Sequence, residues 1–483
     1  MAVKNKIVSL PSLKDAAKRN NQITNYEYDS VIFPDNVKDY GKGKNYFIRT
    51  YGCQGNLRDS EVIAGILEKM GYKEIDNEEL ASIIILNTCC VRENAEKKVY
   101  GEIGTLKSLK VKNEDLIIGV CGCMVQQEHI VNELLNKYQQ VNLIFGTNNI
   151  HRLPQLISQI VSTGKGICEV FSDKNDIQED LPSCRESLYK AWVNIQYGCN
   201  KFCTYCIVPY TRGKERSRKS ADILKEVQEL KDMGYKEVTV LGQNVNAYGE
   251  DIHDLSFARL LEEIAKIGIE RIRFTTSHPW NFSDELIDVI AKYPNIMKHI
   301  QLPVQSGDTD ILRRMGRRYT REEYLNLVKK IREKIPNCAL TTDIIVGFPN
   351  ESEEAFNNTL TLCEEVKYDS AFTFIYSPRV GTPAYRMKDN VTLEEKHDRF
   401  NRLTKVIAKY ENEKYKQFEG KTIKVLVDGP SKKNSNIMSG YSEDMKLVNF
   451  KGKKDSIGKI VNVHITNTKT YTLEGEQVDW KDS

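Results

Sequence analysis

Short apolar runs rich in β-branched residues alternate with helical stretches twice along this chain, and that double alternation leaves few folds open. In the first half, runs at 46–50, 83–86, 116–120 and 143–145 are separated by segments of helical spacing such as 60–70 and 93–109. Strands that alternate with helices build a parallel sheet, because a parallel return needs a crossover long enough to hold a helix. Residues 41–162 are therefore expected to form a doubly wound α/β domain, preceded by an N-terminal extension over 1–40. The stretch 163–190 is polar, mixes Gly, Asp, Ser and Pro, and reads as a linker.

The second alternation places strands at 192–197, 237–242, 271–276, 299–304, 339–346 and 371–376, with helical segments such as 221–233 and 324–335 between them. Six β/α units predict a partial TIM-like barrel over 191–413, closed off by a long charged helix at about 392–417. Active groups in such barrels sit at the carboxyl ends of strands. The last segment, 414–483, turns to short β-type runs at 422–427, 447–450 and 459–465 and reads as a small β-barrel. A chain of 483 residues suits this three-domain division. Residues 1–30 are polar, and no apolar run approaches the roughly 20 residues needed to span a bilayer, so a soluble, cytoplasmic protein with no membrane partner is expected.

Overall charge is uninformative, with 70 Lys and Arg against 67 Asp and Glu. Its distribution is not. Between 414 and 472 there are twelve lysines and five acidic residues, Lys421 and Lys424 among them, which fits contact with nucleic-acid phosphates. Two further basic sets are Arg212, Lys214, Arg216, Arg218 and Lys219, and Arg313, Arg314, Arg317 and Arg318. Beside them Tyr210 or Phe202 could stack on an unpaired base or simply pack.

Twelve cysteines in a chain with no secretory signal point to metal or redox chemistry, since cytosolic thiols stay reduced. Cys199, Cys203 and Cys206 lie on one tight loop, spaced three then two, with no fourth cysteine following. Structural zinc takes four ligands, usually as two close pairs, and the nearest histidine, His253, is far away. Three thiolates instead suit a four-iron cluster with one iron left open for a substrate or cofactor. The loop follows the first barrel strand, where a site should lie. Cys53, Cys89 and Cys123 each follow a strand of the first domain, so the topology can bring them to one crevice and a second open cluster. Cys90 and Cys121 adjoin two of these, and one member of each pair should face the core; spacing alone does not choose. Cys168, Cys184, Cys338 and Cys363 read as structural.

The segments Thr-Tyr-Gly-Cys-Gln-Gly-Asn at 50–56, Leu-Asn-Thr-Cys-Cys-Val-Arg-Glu at 86–93 and Val-Cys-Gly-Cys-Met at 120–124, with the three-cysteine loop, resemble the methylthiotransferase family of radical S-adenosylmethionine enzymes. The resemblance runs from about residue 45 to 475 and includes a terminal segment similar to the RNA-binding TRAM domain. Within the family, the stretches 207–218, 241–248 and 275–279 look like those of the tRNA 2-methylthio-isopentenyladenosine synthases. One departure is Gly55, where the family usually has methionine beside the first cysteine.

The resemblance assigns Cys53, Cys89 and Cys123 to an auxiliary 4Fe-4S cluster and leaves Cys90 and Cys121 as bystanders. It implies that the cluster of Cys199, Cys203 and Cys206 chelates S-adenosylmethionine and yields a 5'-deoxyadenosyl radical, while the auxiliary cluster carries sulfur that a second S-adenosylmethionine methylates. Strand-end polar groups that could hold the cofactor are Gln243, Ser277, Gln305 and Asp343. Expected partners are tRNA carrying isopentenyladenosine beside the anticodon, an electron donor such as a flavodoxin or ferredoxin, and a sulfur donor. Two alternatives are the same chemistry on threonylcarbamoyl-adenosine, and an RNA-binding iron-sulfur protein without turnover. Cleavage of the cofactor to 5'-deoxyadenosine separates the last of these from an enzyme.

Overall fold

The computed structural model describes residues 3–9, 27–90, 93–171, 176–178 and 181–478. Its first body is an all-parallel sheet of seven strands in the order Val3–Ser9, Gly166–Phe171, Leu143–Phe145, Ile117–Gly122, Ile83–Thr88, Asn45–Thr50 and Lys73–Glu74. Its middle strands are buried on both faces, as near-continuous apolar runs in a parallel sheet require. Ile83 and Ile85 pack with Ile63, Ile66 and Leu67 of the helix Gln54–Lys69, and Ile84 and Leu86 pack with Val99, Ile103 and Leu106 of the helix Glu93–Lys112.

Two segments expected outside this domain belong to it. Val3–Ser9, read as extension, and Gly166–Phe171, read as linker, pair in parallel at the sheet edge, and Cys168 thereby joins the core. Val3–Ser9 carries two lysines, a composition that reads as polar in isolation and suits an edge strand. Residues 10–26, 172–175 and 179–180 of those segments, and Val91 and Arg92, lie outside the described residues.

The second body has six parallel strands in two runs of three, Lys190–Asn194, Glu237–Leu241 and Arg271–Phe274, then His299–Gln301, Ala339–Val346 and Ser370–Ile375. A bridge between Ile272 and Ile296 connects the runs. Helices including Ser220–Asp232, Phe257–Ile267 and Arg321–Lys334 cover the outside of one continuous core. The helix Leu393–Lys416 starts at a capping box of Thr392 and Glu395, which satisfies its first free amides, and adds Leu403 and Ile407 to that core.

The third body is a closed barrel of five strands, Thr422–Ser431, Asn434–Ser442, Leu447–Lys451, Ile460–Thr468 and Leu473–Gln477. Asn434–Ser442 and Leu473–Gln477 lack the apolar, β-branched pattern of the other three, and cross-strand pairing alone makes them strands. The barrel docks on the amino ends of the central strands. Arg271, fully buried, donates to the carbonyls of Tyr441 (2.9 Å) and Lys424 (3.1 Å), and Lys446 donates to the carbonyl of Asp369 (3.0 Å). The lysine-rich barrel therefore sits at the opposite end of these strands from the cysteine loop. No helix among the described residues is long and apolar enough to cross a membrane.

Candidate active site: two cysteine triads joined by one short helix

The first triad is built by clamping a loop at both ends. Gln196–Tyr197 pairs antiparallel with Arg216–Ser217, so everything between must return on itself. Gly198 makes the first bend at φ 74°, and a Cβ there would collide with the Lys214 carbonyl. Gln243 accepts the Gly198 amide, and Cys199 N–H donates to the Gly213 carbonyl (3.1 Å). On the far side Thr204 N–H donates to the Met315 carbonyl (2.9 Å), and Arg317 comes within 3.6 Å of Cys203 Sγ. Burial pushes the Cys206 thiol up to about 12, and burial followed by the nearby Glu215 carboxylate pushes Cys199 well up. As free thiols these groups stay protonated, and a metal is what would deprotonate them.

The second triad comes from three strand ends. Cys53 caps the helix Gln54–Lys69, Cys89 follows Ile83–Thr88, and Cys123 follows Ile117–Gly122. Asn56, fully buried, gathers them: its Oδ1 lies 3.8 Å from Cys53 Sγ and 4.0 Å from Cys123 Sγ, while its Nδ2 holds the Tyr51 and Thr88 carbonyls. Gly52 keeps the approach open, since a Cβ there would lie 2.8 Å from Cys89 Cβ. Cys121 belongs to the core on one sheet face. Cys90 does not: its thiol meets Cys123 and lies 3.8 Å from Thr211 Oγ1, so it faces the site.

Six residues after Cys206, Arg212 reaches across from the central domain into this second triad. Its guanidinium donates to Cys123 Sγ (3.0 Å) and Asn56 Oδ1 (3.0 Å) and pairs with Asp59 (2.7 Å). The Cys90 thiol and Arg212 together hold the Cys123 thiol below its ordinary range. Between Cys206 and Arg212 lies the one-turn helix Val208–Thr211, and Ile207 packs on Cys90 and Cys123. The two triads thus flank a single short helix. Among the described residues no three His, Cys, Asp or Glu side chains close on a point that one ion would fill. Each triad has a buried guanidinium against one of its thiols, Arg317 on Cys203 and Arg212 on Cys123, a donor set whose chemistry fits an anionic iron-sulfur cluster.

Several expected contacts take other roles. Ser277 Oγ bonds the Gln301 carbonyl, and Gln301 Nε2 reaches both Asp343 oxygens at 3.4 Å. Gln305 stands at φ 71°, with its amide on the Asp343 carbonyl (2.9 Å). These residues share the carboxyl end of the strands, but Gln243 and Ser277 are engaged in bracing it. The basic run after the loop is corrected: Arg212, Arg216 and Arg218 are buried, Arg218 on Glu226 (2.7 Å) and Arg216 on Asn148 of the first domain (3.2 Å). Lys214 is half-buried. Arg212 and Arg216 find their partners far away in sequence, in the first domain, so they join the two domains, whereas Arg218 is held inside the central domain by Glu226, eight residues on. Phe202 and Tyr210 are half-buried and meet edge to face, 6.2 Å between centroids. Lys421, Lys424, Arg313, Arg314 and Arg318 are exposed. Sequence reasoning missed Asn56, Asp59, His278 and the individual role of Arg317, although Asn56 and His278 stand inside the quoted motifs.

Comparison with known proteins agrees with this layout. Residues 193–363 match the radical SAM superfamily, 45–146 the family described as "Uncharacterized protein family UPF0004", and 416–478 the TRAM domain. The tRNA-2-methylthio-N(6)-dimethylallyladenosine synthase of Geobacillus thermodenitrificans is 56% identical over 468 residues, covering 96% of this chain and 89% of the relative. The protein of that name from Bacillus subtilis is 55% identical over 470 residues, covering 97% and 92%. Among solved structures, the radical S-adenosylmethionine methyltransferase TsrM from Kitasatospora setae shares the fold, with a TM-score of 0.52 at 15% identity over 71% of this chain and 77% of that one. The cobalamin-dependent S-adenosylmethionine radical enzyme OxsB does so with a TM-score of 0.51 at 14% identity, covering 75% and 61%. At the identity and coverage of the two synthases, this chain belongs to the tRNA-2-methylthio-N(6)-dimethylallyladenosine synthase family within the radical SAM superfamily.

Proposed function

We propose that the chain transfers a methylthio group to carbon 2 of N(6)-dimethylallyladenosine, also called isopentenyladenosine, beside the anticodon of tRNA. The observation that carries this reading is the pairing of two open cysteine triads across the single helix Val208–Thr211. Clusters on Cys199, Cys203 and Cys206 and on Cys53, Cys89 and Cys123, with S-adenosylmethionine, supply the radical and the sulfur chemistry when bound. The chain's own residues supply position. Arg317 and Arg212 set a fixed positive charge against each triad, in surroundings dry enough for that charge to count.

Carbon 2 of an adenine is unreactive, so the base must be held against the radical source, and an unpaired loop nucleotide is the cheapest to turn out of its stack. Exposed Arg313, Arg314 and Arg318 rim the first loop and suit backbone phosphates there. Lys421 and Lys424 sit on the small barrel at the other end of the strands and suit a more distant stretch of the same RNA. A flavodoxin or ferredoxin as electron source and a separate sulfur donor complete the reading. Anaerobic incubation with isopentenylated tRNA, S-adenosylmethionine, sulfide and a reductant should yield the methylthio nucleoside by mass spectrometry. If 5'-deoxyadenosine forms without it, the substrate assignment fails and the radical enzyme stands.

A further inference from the structure

His278 lies four residues beyond the strand Arg271–Phe274, at the end of the barrel that carries the first cysteine loop, and is 6% exposed. Its backbone is held on both sides by Asn246, whose Oδ1 accepts the His278 amide (2.8 Å) and whose Nδ2 donates to its carbonyl (2.7 Å). Its ring stands edge-on to Tyr319, 6.0 Å between centroids at 76°. The Tyr319 hydroxyl accepts from Arg317 (2.9 Å), and Arg317 lies 3.6 Å from Cys203 Sγ. The imidazole is thus fixed in place and connected to the first triad through Tyr319 and Arg317.

Its protonation is also determined. Nδ1 accepts the backbone N–H of Trp280 (3.2 Å), so in the neutral ring the proton resides on Nε2. Burial, then the charges of Arg317 and Lys201, keep the ring neutral. That Nε2–H is buried and has no acceptor among the described residues. A buried donor without an acceptor is costly, and the usual remedy in a ligand site is an acceptor on the ligand. With Arg317 and Lys201 close by, the missing acceptor is one that tolerates positive surroundings, a carboxylate or a lone-pair-rich oxygen.

We infer that His278 is a positioning residue for the adenosyl amino acid cofactor, its Nε2–H donating to a carboxylate or ribose oxygen of S-adenosylmethionine held at the Cys199, Cys203 and Cys206 triad. The inference rests on the superfamily's use of that cofactor and is independent of which RNA is modified. The test uses the full chain with both clusters reconstituted, and a nitrogen analogue of S-adenosylmethionine that can be neither cleaved nor used as a methyl donor. Binding is read from the change in the electron paramagnetic resonance of the reduced first cluster.

His278→Phe keeps the ring against Tyr319 and loses the donor, so it should weaken analogue binding about tenfold or more, while His278→Gln, which places an amide donor near the same point, should stay within about threefold. Iron content and tRNA affinity should not change in either. Equal analogue affinity in wild type and His278→Phe overturns the inference, and so does a loss confined to tRNA affinity, which would assign the donor to RNA. If neither variant retains iron, the unaltered protein decides: the analogue should slow hydrogen–deuterium exchange at the His278 ring carbon between the two nitrogens, and an unchanged rate overturns the inference.

Discussion

The two cysteine triads are assembled by opposite routes. Cys199, Cys203 and Cys206 occupy eight consecutive residues whose loop is tied at its base by Gln196–Tyr197 and Arg216–Ser217. Cys53, Cys89 and Cys123 span seventy-one residues and meet only because three parallel strands end side by side. Each has a buried arginine against one sulfur, but Arg317 belongs to the same body as its triad, whereas Arg212 crosses from the neighbouring one. The local triad therefore depends on one loop, and the dispersed triad depends on a sheet, a helix cap and a domain interface together.

The sharpest break of this symmetry is Cys203→Ala, which should abolish 5'-deoxyadenosine formation and leave the iron of the second triad in place. Loss of all iron, measured per chain, would contradict independent sites. Next is Arg212→Leu, which strands the buried Asp59 carboxylate and frees Cys123. It should cost about 3–5 kcal/mol in denaturant unfolding and lower second-cluster occupancy, while uncoupled cofactor cleavage persists. If cleavage falls as far as occupancy, the first triad also leans on the interface and the contrast fails.

Arg317→Met is the counterpart, removing the contact to Cys203 and the bond to the Pro303 carbonyl (2.6 Å). It should cost about 1–3 kcal/mol and slow cofactor cleavage with second-triad iron unchanged by Mössbauer spectroscopy. The smallest effect is expected at Gly55, inside the helix Gln54–Lys69, where a Cβ would sit 3.7 Å from Cys53 Sγ and 3.9 Å from the Arg212 guanidinium, ordinary contact distances. Gly55→Met should therefore raise helix stability by up to about 1 kcal/mol and keep both clusters; a thermal midpoint that falls would mean the space over Cys53 is needed.

Much of this contrast is legible in the sequence itself. The strands at 83–86, 143–145 and 339–346, the capped helix from Thr392, and the three-then-two cysteine loop are local patterns of apolar period, cap and spacing, and they appear where expected. The edge pair Val3–Ser9 and Gly166–Phe171 escaped, because its two members lie far apart in sequence, Val3–Ser9 carries two lysines, and the short apolar run Gly166–Phe171 is set among polar residues that read as a linker. Asn434–Ser442 escaped because its sequence is mostly polar and lacks a β-branched, apolar pattern.

By itself the sequence determined the domain types and the Cys199, Cys203 and Cys206 set, since these follow from residue type and short-range period, while the choice of Cys53, Cys89 and Cys123 came from the motifs that resemble the family. Tertiary structure decided which charges are surface and which are wiring: Arg212 and Arg216 were indistinguishable from a phosphate-binding run until Asp59 and Asn148 of the first domain were folded against them. It also decided that Cys90 faces the second triad and that the His278 Nε2–H is buried with no acceptor among the described residues. The physical reason is the same in each case. Burial and partnership are properties of side chains brought together from distant positions, and no local pattern encodes them.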